Sequence, residues 1–304
     1  MTNDMEWLWI PATLIAAAGQ VARNAMQRRL TATIGTVGAT QVRFLYGFPF
    51  ALLFLALVFA VSGEPITRFS AGFAGFLVLG ATSQILATGL MLAAMRERSF
   101  SVVTALIKTE PVQIALVGAV LLGDRLGPLG LLAILLATAG VVAVSWTRRT
   151  EGEMAQTGLR PILLGLAAGG LFALSAVGFR GAILALESGT FLPRATTTLA
   201  CGLALQTLIL TTWLVAFDRP ALLGSLREWR ASLGAGFVGA LSSQFWFIGF
   251  ALTAAANVRT LALVEVVMAQ VVSRVYMAHK TSGREAAGIG LILAGVALLI
   301  WTTA

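Results

Sequence analysis

Hydrophobic positions in this chain come in runs rather than in alternation. Roughly ten apolar stretches, each about 20 residues long, follow one another from end to end, separated by short polar or glycine-rich joints. Such a run, coiled as a helix, matches the hydrocarbon thickness of a bilayer. Lipid offers the backbone no hydrogen-bond partners, and the alternation of a membrane barrel is absent. Stretches such as FPFALLFLALVFAV and LLAILLATAGVVAVSW are therefore predicted to be helices. The predicted spans are residues 7–26, 37–61, 72–95, 100–122, 127–146, 161–182, 191–216, 231–254, 257–278 and 285–303.

Composition removes the soluble alternative: 58% of the 304 residues are hydrophobic and 11% charged, with a mean hydropathy of +0.89, beyond what one water-facing domain carries. The 32 glycines fit helices that pack closely in lipid, and Gly165 and Gly169 are read as such a seam. One cysteine, Cys201, and one histidine, His279, cannot build a disulfide framework or a Cys/His metal site, so no metal or cofactor is expected. Asp4 and Glu6 stand where a cleavable signal needs positive charge, so the first run is expected to stay as a helix. The tryptophans at span ends (Trp7, Trp9, Trp146, Trp229 and Trp301) fit an interfacial belt.

The net charge of +8 does not suggest nucleic acid, because the arginines lie singly or in pairs at span ends instead of forming a stripe. Sorted by joint, they set an orientation. Arg28, Arg29, Arg96, Arg98, Arg148, Arg149, Arg160, Arg219, Arg227, Arg230, Lys280 and Arg284 fall on one side, against mainly Arg68 and Arg125 on the other. The positive-inside rule then places both termini outside the cytoplasmic membrane.

The two halves echo each other at an offset of about 155 to 160 residues. GATSQILATGL around Gln84 faces GALSSQFWFIGF around Gln244, LATAGVVAVSW faces LILAGVALLIW, and the stretch holding Glu110 faces the one holding Glu265. Five spans per half is odd, so the second copy enters the membrane from the opposite side, and its basic joints are displaced accordingly. The expected fold is an all-α integral membrane protein of ten transmembrane helices in two inverted five-helix repeats, residues 1–150 and 151–304.

With these motifs the chain resembles the drug/metabolite transporter superfamily, in its ten-helix form with two EamA repeats. The residues that carry the likeness are TEPVQIALVGAVLLGDRL (Glu110, Pro111, then Gly123, Asp124 and Arg125) and the closing stretches LLATAGVVAV and GIGLILAGVALL. The second half departs from the pattern, with Val266 in place of the proline. The resemblance implies a carrier that moves small organic solutes, often amino acids or other metabolites, by alternating access without ATP hydrolysis. The chain has no GxxxxGK[ST] loop.

Charges at bilayer depth are costly and face a cavity or a partner. Glu110 sits mid-span beside Pro111, which frees the carbonyl of Ile107 and should kink the helix. Lys108, two positions earlier, cannot share a face with Glu110, so each needs its own partner, and Glu265 and Arg43 are the candidates. For Arg43, with Tyr46, Gly47 and Phe50 along its face, two readings stand: an anion-binding cation beside an aromatic surface, or a side chain snorkelling to the interface. Gln84, Gln244 and Trp246 either line a pseudo-symmetric cavity or join helices by hydrogen bonds. Gln270 shares a face with Arg274, an expected topology anchor. Arg180 with Glu187 reads as a surface ion pair, and Arg194 and Arg259 as side chains reaching water.

The expected substrate-binding set is thus Arg43, Gln84, Lys108, Glu110, Gln244, Trp246, Glu265 and Gln270, with Glu110 and Glu265 as proton-coupling candidates. The expected activity is transport of a zwitterionic or anionic metabolite by a functional monomer in the lipid bilayer. A carrier of larger aromatic vitamins, nucleotides or lipid-linked compounds is the alternative. An enzyme acting on a lipid carrier would need a carboxylate cluster or histidine set that the spans do not offer.

Overall fold

The computed structural model describes residues 3–97, 103, 106–147, 159–268 and 282–303. Every regular element among them is helical: a 3₁₀ turn at Asn3–Leu8, then α1 (Trp9–Leu45), α2 (Gly47–Ser62), α3 (Ala71–Glu97), α4 (Glu110–Leu121), α5 (Pro128–Thr147), α6 (Leu159–Leu184), α7 (Phe191–Phe217), α8 (Arg219–Arg227), α9 (Trp229–Leu252), α10 (Ala255–Leu261) and α11 (Gly283–Thr303). Six segments among the described residues are long and apolar enough to cross a membrane: Val37–Ser62, Ala71–Met91, Ile162–Leu184, Phe191–Phe217, Trp229–Leu252 and Gly283–Thr303. The chain is a multi-pass membrane protein.

Several boundaries differ from the sequence reading for identifiable reasons. The first two spans are joined without an open loop, because α1 runs on through a kink at Gly35, whose φ of +70° glycine adopts without a Cβ penalty. The fourth span is broken rather than kinked. Lys108 and Thr109 form a turn, Thr109 N–H donates to Leu106 O at 3.3 Å, and α4 starts afresh at Glu110 with Pro111 in its first turn, where a missing N–H costs nothing. The ninth span breaks too, with no proline: a turn at Ala262–Leu263 is held by three-residue bonds from Leu263 N–H to Thr260 O and from Glu265 N–H to Ala262 O, each 3.0 Å. Between the seventh and eighth spans lies the short α8, capped by Asp218, whose Oδ1 accepts from Ala221 N–H at 3.1 Å. Trp9 is buried in the protein, whereas Trp7, Trp229 and Trp301 are exposed.

The chain divides into two compact units, each drawing on both ends of the sequence. The first comprises residues 1–82 and 178–253, the second 83–177 and 254–304. In the first, α1 packs along α9 through small residues: a Cβ on Gly19 would lie 3.0 Å from Ser242 Cβ, and Ser242 Oγ donates to Ala16 O at 2.7 Å. Gly236 meets Tyr46 so closely that a Cβ would fall 2.6 Å from its backbone. Gly178 and Gly80 bring the ends of α6 and α3 together, where a Cβ on Gly178 would be 2.6 Å from Gly80 N.

In the second unit, α5 and α11 approach backbone to backbone. A Cβ on Gly140 would sit 2.6 Å from Gly288 O, and one on Gly295 2.6 Å from Ala137 N. Gly165 and Gly169 of α6 do form a seam, against Leu106, Ile107 and Gln113. Beside it, Ala94, Val103, Ile107 and Ala168 make a buried apolar cluster with Leu90, Met91, Leu164 and Phe172.

Candidate functional site

Both helix breaks lie in the second unit, and four charged side chains gather at them. Glu110, the first residue of α4, is buried and takes a forked pair of hydrogen bonds from Arg259 of α10: Nε to Oε1 at 2.9 Å and Nη2 to Oε2 at 2.8 Å. Lys108, in the turn just before α4, forms an ion pair with Glu265, just after the second break. The four side chains sum to zero charge, which is how ionised groups persist away from water. In each pair the cation is the more exposed member: 19% for Arg259 against 6% for Glu110, and 18% for Lys108 against 11% for Glu265.

The breaks explain why these residues meet. A continuous helix would put Lys108 and Glu110 about 200° apart. The turn at 108–109 gives them separate surroundings, and each finds an opposite charge from the ninth-span segment. Of the two candidate partners, Glu265 is the one that meets Lys108. The partner of Glu110 is Arg259, so the expectation that Arg259 reaches water is corrected. Its signal was available in sequence: Arg259 lies six residues before Glu265, in the span already paired with Glu110.

The other sequence candidates are distributed between the units. Gln84 is half-buried on α3 in the second unit. Arg43 and Gln244 belong to the first. The Arg43 guanidinium lies 5.5 Å from the ring centroid of Phe44. Buried Gln244 donates from Nε2 to Thr196 Oγ1 at 2.8 Å, an interhelical bond between α9 and α7. Trp246, also in the first unit, is buried and stacks on Phe250 at 6.4 Å. Gln270 and Arg274 lie outside the described residues.

Arg180 is not a surface partner of Glu187. Its Nη1 donates to Phe250 O at 2.7 Å and to the Thr253 carbonyl, so it neutralises the C-terminal end of α9, where helix carbonyls lack partners. Arg194 donates from Nε to Ser188 O at 3.5 Å. Among the described residues, no three His, Cys, Asp or Glu side chains gather as metal ligands do.

Comparison with known proteins bears on fold and family. Twenty-eight chains of solved structures match the fold. One, described as a crystal structure of protein, superposes with a TM-score of 0.68 over 96% of this chain and 97% of its own, at 18% identity. That likeness concerns the fold alone. No curated protein matches the sequence. The EamA-like transporter family matches residues 7–146, so that stretch of the chain is similar to this family, and the run of apolar helices agrees with a membrane protein.

Proposed function

We propose that this protein is a secondary transporter of a small zwitterionic or anionic organic solute, built of ten spans in two inverted five-helix repeats and working by alternating access as a monomer in the cytoplasmic membrane. The observation that carries the reading is the neutral set of two ion pairs at two broken helices. Interrupted spans with charges at the break are how membrane carriers present both backbone and side-chain polarity to a solute at depth. The offset that equates Glu110 with Glu265 also sets the two breaks in corresponding parts of the halves, as duplication and inversion require.

Glu110 and Glu265 are the proposed proton-coupling groups, because a carboxylate paired in one state and hydrated in another exchanges protons between them. The reading is tested by uptake into proteoliposomes. A panel of radiolabelled amino acids, organic acids, nucleosides and amines is offered with and without an imposed pH gradient. The expected result is saturable uptake of a carboxylate-bearing solute, driven by the gradient and lost in Glu110→Gln. Uptake of amines only would overturn the assigned substrate charge.

A further inference from the structure

Of the two ion pairs, Glu110 with Arg259 has a geometry that goes beyond charge neutralisation. The Arg259 fork already holds a carboxylate through two nearly equal bonds, 2.9 and 2.8 Å. Planar guanidinium matches any carboxylate in this way, whether it belongs to the chain or to a solute. The arginine side chain is also the more exposed of the two, 19% against 6% for Glu110.

The surroundings allow the exchange. Glu110 is the first residue of α4, at the helix end where unpaired N–H groups favour negative charge, so the carboxylate keeps some compensation when Arg259 turns away. Lys108 stands two residues before it, and Arg259 lies in the short α10, which ends at the second break. The polypeptide is thus interrupted on both sides of the pair, and neither side chain is fixed in the middle of a continuous helix.

We infer that Arg259 is the anchor for the solute's carboxylate, and that Glu110 is a resident placeholder which the solute displaces. This rests on the carrier reading above and narrows its substrate class to compounds that present a free carboxylate able to engage guanidinium at two points. Amines and neutral amides are excluded from the Arg259 position. A solute ammonium, where there is one, would be met by the displaced Glu110.

The test measures binding and transport separately. Binding of acetate, succinate and glycine, with acetamide and methylammonium as controls, is followed by thermal stabilisation of purified protein in wild type, Glu110→Gln, Arg259→Lys, Arg259→Gln and the double Arg259→Gln/Glu110→Gln variant. Removing the competing carboxylate should let Glu110→Gln bind at least one of the three carboxylates about tenfold or more tightly than wild type. Arg259→Lys, which keeps the charge but loses the fork, should bind weakly, and the double variant, which leaves no unpaired charge, should not bind. Carboxylate binding no better in Glu110→Gln than in wild type would overturn the placeholder role, and equal binding by the double variant would overturn the anchor. If Glu110→Gln gains binding that the double variant lacks, yet wild-type proteoliposomes take up no solute, the carrier reading fails while the anion site stands. If a solute is taken up equally by wild type and Arg259→Lys, transport stands and the anchor is wrong.

Discussion

At the residue scale, the legible charges were those that stood out against apolar neighbours. Lys108, Glu110 and Glu265 sit inside hydrophobic runs and are conspicuous there, whereas Arg259 stands near a span start, where an arginine ordinarily reaches water. The break at Ala262–Leu263, which no proline announces, lies between it and Glu265, so the repeat offset that pairs its span with that of Glu110 is the one signal of its role. Their pairing predicts an asymmetric response. Arg259→Gln leaves a buried carboxylate without its partner and should cost about 3–5 kcal/mol, while the double variant with Glu110→Gln should regain most of the loss. Chemical unfolding in detergent measures both.

A second residue prediction lies outside the spans. Glu64, after α2, accepts from the Thr190 hydroxyl at 2.6 Å and from Thr190 N–H at 2.8 Å, tying its joint to the start of α7. Those bonds, the hydroxyl's foremost, favour the ionised form and hold the carboxyl below the ordinary 4.5. A depressed folded value means that the tie is intact above 4.5 and is lost as pH falls below it through the folded value. The melting temperature of wild type should therefore exceed that of Glu64→Gln at neutral pH, and the gap should close in the acid range. A gap independent of pH would assign the effect to shape and not to charge.

At the element scale, helices were readable from hydropathy, and their interruptions were readable only where residue chemistry marks them. Pro111 is such a mark, whereas the Ser282–Glu285 pair at the start of α11 emerges only in the structure. The latter closes a reciprocal cap on α11, with Ser282 N–H donating to Glu285 Oε2 at 2.9 Å and Glu285 N–H to Ser282 Oγ at 3.2 Å. The kink at Gly35 and the helix α8 escaped the reading because glycine is common throughout this chain and α8 is too short to register as a span. Glycine use at contacts was better founded, as the Gly165–Gly169 seam shows. The α5–α11 contact tests it: with a Cβ on Gly140 already 2.6 Å from Gly288 O, Gly140→Leu must separate two helices that lipid does nothing to hold together. A loss of about 1–3 kcal/mol or more is expected, against little effect for Gly130→Ala, where a Cβ meets nothing within 4 Å. Thermal aggregation in detergent would rank the two.

At the scale of the whole molecule, the ten-span proposal makes a demand on parity that each unit can be asked to meet. Numbering the joints in chain order puts the even ones on one membrane face with the termini, and the odd ones on the other. In the first unit the second and sixth joints bond to each other, through Arg68 N–H to Ser188 Oγ at 2.9 Å and Glu187 N–H to Arg68 O at 3.1 Å. In the same unit α1 beside the first joint packs on α8 in the seventh, where a Cβ on Gly38 would lie 3.3 Å from Ala221 O. In the second unit the fourth joint, Asn257 after the eighth, and the C-terminal Trp301 line one concavity. Even meets even and odd meets odd, which is the parity the ten-span proposal demands, although α4 and α10 are individually too short to span. The inverted repeat depends on that count, and it can be tested across a single helix. In a Cys201→Ser background, Glu187→Cys and Glu228→Cys place exposed thiols before α7 and after α8. A membrane-impermeant maleimide should label the first in intact cells and the second only after permeabilisation, because the arginine-rich seventh joint is drawn to the cytoplasm. Labelling of both from outside would remove α7 as a crossing, and the reverse order would invert the molecule while leaving its parity intact.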